Sequence, residues 1–306
     1  MIVTTMAAPR LFDRKLVLTR RIRALREGAE TFLLDATAGE LVERLSAVKR
    51  RFALALDLGT PGDALAAALQ QSGQIDCVIV SEPLVGFRVA RLPRVAADEE
   101  ALPFGDETLD LVVSALSLQW VNDLPGTFAQ VRRALKPDGL FLAALIGGET
   151  LGELRESLAI AESEMAGGAS PRVSPFIDVR TLGSLLQRAG FALPVTDVER
   201  MTVRYRNARA LLRDLRRMGA ANALAERSHK PLRRAVLARA EEIYAERFAD
   251  PDGRLRATFD VMWLSAWAPH ESQQKPLKPG SAKMRLADAL GTREQSAGEK
   301  TGRRPR

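Results

Sequence analysis

Five short β-prone runs punctuate residues 53–146: ALALDL, IDCVIV, RVAAD, LDLVVSAL and LFLAALI. Helix-prone or loop-like stretches separate them, at about 25–30 residues per unit. Parallel neighbours need a crossover of a dozen residues or more, usually a helix, and this spacing supplies it. The expected fold is therefore α/β: a mostly parallel, Rossmann-like sheet with helices on both faces. Ligands of such sheets bind outside the carboxyl ends of the strands.

The first run ends in Asp57, and the chain then passes through Gly59-Thr60-Pro61-Gly62-Asp63 into a helix expected from about Asp63. A loop that lets a nucleotide-type cofactor approach its backbone is expected to read roughly GxGxG. Pro61 removes a backbone N–H. Asp63 stands where a last glycine would permit close approach. A lone glycine loop is weak on its own. It is followed, in order, by Asp98 in ADEEALPF, by LDLVVSALSLQWV and by KPDGLFLAAL, where KPDG reads as a turn.

In this order and spacing the set resembles the class I S-adenosylmethionine-dependent methyltransferase family, in the branch with a D-x-x-x-LPF-x-D-x-x-x-D segment. The resemblance implies S-adenosylmethionine as cofactor and a role for each matching position. Asp57, Gly59 and Gly62 would border its methionine part. Asp98 and Glu99 would meet the adenine edge. Ser114 and Leu116 would face the sulfonium. The place of the ribose-binding acid aligns with Ser81, and Glu82 follows one residue later. Glu149 and Glu153 open the helix after the fifth strand, a substrate position in this fold. Trp120 follows the fourth strand at the ligand-binding edge.

Further segments, LFDRKL, GGETLGELRESLAIAE, SPRVSPF, LLQRAGF and HESQQKPLKPGSA, resemble a family of mitochondrial complex I assembly factors. These have a methyltransferase fold and act in arginine hydroxylation of a complex I subunit. The likeness spans about residues 11–285. It implies a protein subunit of respiratory complex I as partner. Two other functions stay open: a carboxyl methyltransferase of a small molecule or acyl carrier, which shares the LFDR start, and a non-enzymatic assembly factor with a degenerate cofactor site. GTPGD departs from both families' loops.

The organisation expected is a helical cap over 1–50, a core over 51–205, a helical extension over 206–274 and a basic tail over 275–306. Two closing strands are expected in ALPVTDVERMTVRYR. In FDVMWLSAW, Trp263 and Trp267 share a face if the segment is helical. The formal net charge of +7 comes from the ends: residues 275–306 carry nine Lys/Arg and three Asp/Glu, and residues 1–30 seven and three. The body is slightly acidic, which argues against nucleic acid and leaves the basic ends, with the run from Arg204 to Arg239, as contacts for an acidic partner. No apolar run is long enough for a membrane span. One cysteine, Cys77, fits a reducing compartment, and a cytoplasmic protein is expected. His229 and His270 alone do not make a metal site, and no single catalytic residue stands out. Asn122 and Asp123 are expected to cap a helix ahead of Pro125.

Overall fold

The computed structural model describes residues 10–83, 92–274, 284 and 286–293. The first nine residues and most of the tail over 275–306 lie outside the described residues, as does much of HESQQKPLKPGSA. Two units are distinguished, Met1–His270 and Glu271–Arg306. In the second, a short helix spans Leu286–Leu290.

In the first unit two helices come first, α1 (Arg14–Glu27) and α2 (Phe32–Ser46). The alternating elements follow: β1 (Phe52–Leu58), α3 (Ala64–Gln71), β2 (Ile75–Glu82), β3 (Arg94–Ala96), β4 (Leu109–Ala115), α4 (Leu124–Ala134) and β5 (Leu135–Gly147). Then come α5 (Gly152–Ala166), α6 (Val179–Arg188), β6 (Ala192–Tyr205), α7 (Ala208–Arg217), α8 (Arg234–Phe248) and β7 (Leu255–Trp267). One seven-stranded sheet results, in the order β3-β2-β1-β4-β5-β7-β6. β1 to β5 pair in parallel, and β7 runs antiparallel to both β5 and β6.

Alternate residues of the strands feed two cores. Leu111, Val113, Leu142 and Trp263 pack with α2, α3, α5, α7 and α8 on one face. Leu56, Val112, Phe141 and Leu264 pack with α4 and α6 on the other. A central strand buried on both faces loses the polar alternation of a half-exposed one, which is why these runs read as nearly continuous hydrocarbon.

Three local expectations are corrected. The segment over 206–274 is not helical throughout, because it contains β7. This strand sits between β5 and β6 and is buried along most of its length. A run apolar on both faces carries no period that separates strand from helix. Trp263 and Trp267 still share a face, since a period of two also places residues four apart together. ALPVTDVERMTVRYR forms one long edge strand, β6, not two. KPDG is absorbed into β5 as an irregularity: Asp138 has φ +62°, and the register with β4 shifts between Leu109 and Leu111.

The cap of α4 divides its labour. The Asp123 side chain accepts from Gly126 N at 2.8 Å, as expected of a capping residue. Asn122 instead clamps the chain start: its Oδ1 accepts from Phe12 N at 2.7 Å and its Nδ2 donates to Phe12 O at 3.2 Å. Phe12 then meets Trp120 edge to face, with ring centroids 5.4 Å apart. The helical cap is thereby fastened to the turn after β4.

Candidate functional site at the carboxyl edge of the sheet

Because β1, β2 and β4 are parallel, their carboxyl ends open on one edge. Asp57 is fully buried near the end of β1. Gly59 follows with φ +67°, and its N–H donates to Ser81 O at 2.8 Å. A Cβ on Gly59 would lie 2.7 Å from Ser117 Oγ and 2.8 Å from Glu99 Cδ. Only glycine fits there, by space and by backbone angle. Gly62 also has positive φ, +98°. Thr60 Oγ1 accepts from Ala115 N at 2.9 Å, tying the loop to β4.

The residues facing Gly59 form an ion cluster. Glu99 is 1% exposed and accepts from Ser117 Oγ and from Arg14 of α1, with the Arg21 guanidinium 3.7 Å away. Arg14 also donates to Asp98 Oδ1 at 2.7 Å and to Trp120 O at 3.2 Å. Arg21 donates to Ser117 Oγ at 3.2 Å and to Gly59 O at 3.5 Å. Burial alone would push the Glu99 carboxyl up. Arg21, Arg14 and the Ser117 hydroxyl outweigh it and hold the group below its ordinary value.

One of the two loop departures, Asp63, has a partner. Arg94 of β3 donates to Asp63 at 2.6 Å and to Glu82 at 2.7 Å. Asp63, standing where a glycine is expected, is one end of a bridge whose other end is the buried acid closing β2. Ser81 lies opposite Leu58 in register, and its hydroxyl is buried without a partner. The structure thus brings Asp57, Gly59, Ser81, Glu82, Asp98 and Glu99 to one edge. The glycine turn, the acid at the end of β2 and the unpaired Ser81 hydroxyl are the kinds of group a nucleoside meets, and ion pairs from Arg14, Arg21 and Arg94 fill the space beside them. A cavity of about 50 Å³ beside Gly59 and Glu82 is roofed by Leu18, Arg21 and Ala24 of α1. That is room for one or two waters.

Ser114 departs from its expected role. It is fully buried, and its hydroxyl donates to Leu58 O at 2.7 Å, bracing β4 against β1. Leu116 lines a second cavity of about 340 Å³ with Pro61, Gly62, Gln119 and Trp120. Glu149 and Glu153 do not line it. Glu149 is exposed, and Glu153 accepts from the Thr258 hydroxyl of β7. Their neighbours Thr150, Leu151 and Leu154 form the wall instead. Among the described residues, no group of three His, Cys, Asp or Glu side chains converges to hold a metal ion.

Arg14, Arg21, Arg94, Ser117 and Gln119 belong to this edge but carry no sequence signal of their own. Asp260, 2% exposed, is another. It accepts from Arg200 at 2.7 Å and 2.9 Å and from Glu149 N, fixing the turn between β5 and α5. The one available sign of it was an acid inside the apolar run FDVMWLSAW.

The family described as a methyltransferase domain, type 11, matches residues 56–143, from β1 into β5. The zebrafish (Danio rerio) protein named arginine-hydroxylase NDUFAF5, mitochondrial, is 40% identical over 262 residues, covering 84% of this chain and 81% of that protein. The human protein of the same name is 40% identical over 282 residues, 89% and 81% of the two chains. A malonyl-[acyl-carrier protein] O-methyltransferase of Halorhodospira halophila is 35% identical over 256 residues, 81% of this chain and 85% of that one. Among solved structures, a putative methyltransferase (BH2331) from Bacillus halodurans shares the fold with a TM-score of 0.51 at 16% identity, covering 76% of this chain and 99% of that one. Sheet order, loop position and these likenesses agree: the chain belongs to the methyltransferase-domain family that contains the arginine-hydroxylase NDUFAF5 proteins and the malonyl-[acyl-carrier protein] O-methyltransferases.

Proposed function

We propose that this protein binds S-adenosylmethionine at the edge formed by β1, β2 and β4 and acts as a one-carbon transferase-type enzyme upon, or in the assembly of, a protein subunit of respiratory complex I. The observation that carries the cofactor reading is the placement of Gly59, with φ +67°, directly after the carboxyl end of the parallel strand β1 and beside the acid that ends β2. A glycine turn at the carboxyl end of the first strand is where this fold takes a nucleoside cofactor.

When bound, S-adenosylmethionine supplies a methyl group on a cationic sulfonium. The chain's own residues do the rest. Glu82 and the free Ser81 hydroxyl offer an acceptor and a donor at the end of β2 to the ribose. Asp98, with 43% of its side chain exposed, offers a carboxylate to the adenine side. Leu116 and Trp120 keep the far side of the site apolar and exclude water. α1, with Arg14 and Arg21, closes over the polar half. The complex I partner is supported by the likeness to the NDUFAF5 proteins over most of the chain. A place in the cytoplasm belongs to the same proposal and rests on cysteine usage.

A second reading, a carboxyl methyltransferase of a small molecule, is favoured by the apolar cavity beyond Leu116 and by the acyl-carrier relatives. Both readings share the cofactor step. Titrating the protein with S-adenosylmethionine in a calorimeter tests it, with Asp98→Ala for comparison. Saturable binding weakened in the variant is expected. No heat up to millimolar ligand would mean that the fold has outlived its cofactor, leaving an assembly role without catalysis.

A further inference from the structure

Glu82 borders the cavity of about 50 Å³ beside Gly59, whereas Arg94 and Asp63 do not. The strand register shows how these two still reach it. Arg94 lies opposite Val80, and Glu82 follows Val80 by two residues. Side chains two apart on a strand share a face, so Arg94 and Glu82 are diagonal neighbours on one face of the sheet. Val80 packs there with Leu65, Ala66 and Leu69 of α3, the helix that begins directly after Asp63.

Arg94 engages an acid with each prong of its fork. Its Nη1 donates to Glu82 Oε1 at 2.7 Å and its Nη2 to Asp63 Oδ1 at 2.6 Å. Asp63 stands at the N-cap of α3, yet its side chain makes no capping hydrogen bond. An aspartate at that position ordinarily accepts from a backbone N–H of the first turn. Here the carboxylate is turned to the guanidinium instead. A buried carboxylate such as Glu82 needs a counter-charge. A planar guanidinium held at both prongs also fixes direction, which the point charge of a lysine would not.

We propose that Arg94 is a positioning residue: with Asp63 behind it, it holds the Glu82 carboxylate in the pose that accepts the hydroxyls of a ribose. This rests on the methyltransferase reading, in which Glu82 meets the sugar of the cofactor. It makes Gly59-Thr60-Pro61-Gly62-Asp63 a working variant of the glycine loop. The bare backbone of a last glycine is exchanged for a side-chain tie from the loop, through Arg94, to the end of β2. The ligand so selected is a nucleoside whose sugar keeps its 2′-hydroxyl.

The test is a calorimetric titration of the whole chain with S-adenosylhomocysteine and with its 2′-deoxy analogue. The unaltered chain is expected to bind the deoxy analogue at least about tenfold more weakly, the worth of one hydrogen bond to a charged group. In Arg94→Met the two ligands should come within about threefold of each other. Asp63→Asn leaves Glu82 its counter-ion and should bring them part of the way together; it carries the test should Arg94→Met fail to fold. A merely structural role would weaken both ligands alike and leave their ratio unchanged. That result in a folded variant, or equal affinity for the two ligands in the unaltered chain, would overturn the proposal while the cofactor reading stands. No saturable binding of S-adenosylhomocysteine by the unaltered chain would overturn both.

Discussion

The two halves of the carboxyl edge are built in opposite ways. Around Gly59 the groups are charged, and they are drawn together: Glu99 with Arg14 and Arg21, Glu82 and Asp63 with Arg94. Little space remains there, about 50 Å³. Beyond Leu116 the groups are apolar, and about 340 Å³ stays open. The difference follows from what each surface loses when left unmet. An unpaired buried charge forfeits several kcal/mol of solvation, so the chain must supply counter-ions. An apolar wall facing a void forfeits only dispersion contacts. The polar half is therefore filled by ion pairs, whereas the apolar half keeps its space.

The sharpest way to break this contrast is to strip the counter-ions. Arg14→Ala with Arg21→Ala leaves Glu99 buried and unpaired, and urea unfolding should record a loss of about 3–5 kcal/mol. Adding Glu99→Gln should recover a large part, because the uncompensated charge is gone. No recovery would mean that the arginines act through packing alone.

Truncating leucines on the two sides should give unequal losses. Leu56 is fully buried in the packed face served by α4 and α6, whereas Leu154 already borders the cavity. Leu56→Ala should fall toward the upper end of the ~2–5 kcal/mol range and Leu154→Ala toward the lower. Equal losses in chemical denaturation would argue that the cavity collapses in solution.

Gly59→Ala should weaken S-adenosylmethionine binding at least about tenfold and destabilise by more than the ~1–2 kcal/mol of a left-handed alanine, because its Cβ also meets Ser117 and Glu99. Unchanged affinity by calorimetry would remove Gly59 from the cofactor's path. The smallest effect concerns pH. Glu99 is held below its ordinary value of about 4.3. Its contribution is fully present above that value and fades as the pH falls through the lower folded one. Glu99→Gln should flatten the acid limb of stability, measured as the denaturation midpoint from pH 6 down to 3.

The parallel half of the sheet was legible because each strand comes with its own crossover and turn residues, all local signals. β7 was not, since burial on both faces erased its period and the sheet position it fills lies far along the chain. That Gly59, Asp98 and Leu116 lie at the carboxyl edge could be read from their place just after strands. Arg94 could not, although it pairs at once with Asp63 of the loop and Glu82 at the end of β2. Nothing local distinguishes an arginine that bridges Asp63 and Glu82 from the many solvated ones. The same holds for Arg14, which meets Glu99 only after the sheet has formed. Ser114 failed for a related reason: a hydroxyl at a strand end serves a ligand or a neighbouring carbonyl equally well.

The place of β7 has a consequence for how the chain is made. β5 is complete at Gly147, but the strand that pairs with its free side ends at Trp267, roughly a hundred residues later. At 5–20 residues per second, a nascent chain carries β5 with one side unpaired for on the order of ten seconds. During that interval AALI, with its flanking apolar residues, is an open template for another chain. β6 emerges first but cannot dock on β5 without taking the position reserved for β7. Productive folding must therefore hold β6 back until its successor has been synthesised, and a chaperone that shields the edge of β5 should raise the yield of soluble protein more than one that acts after release.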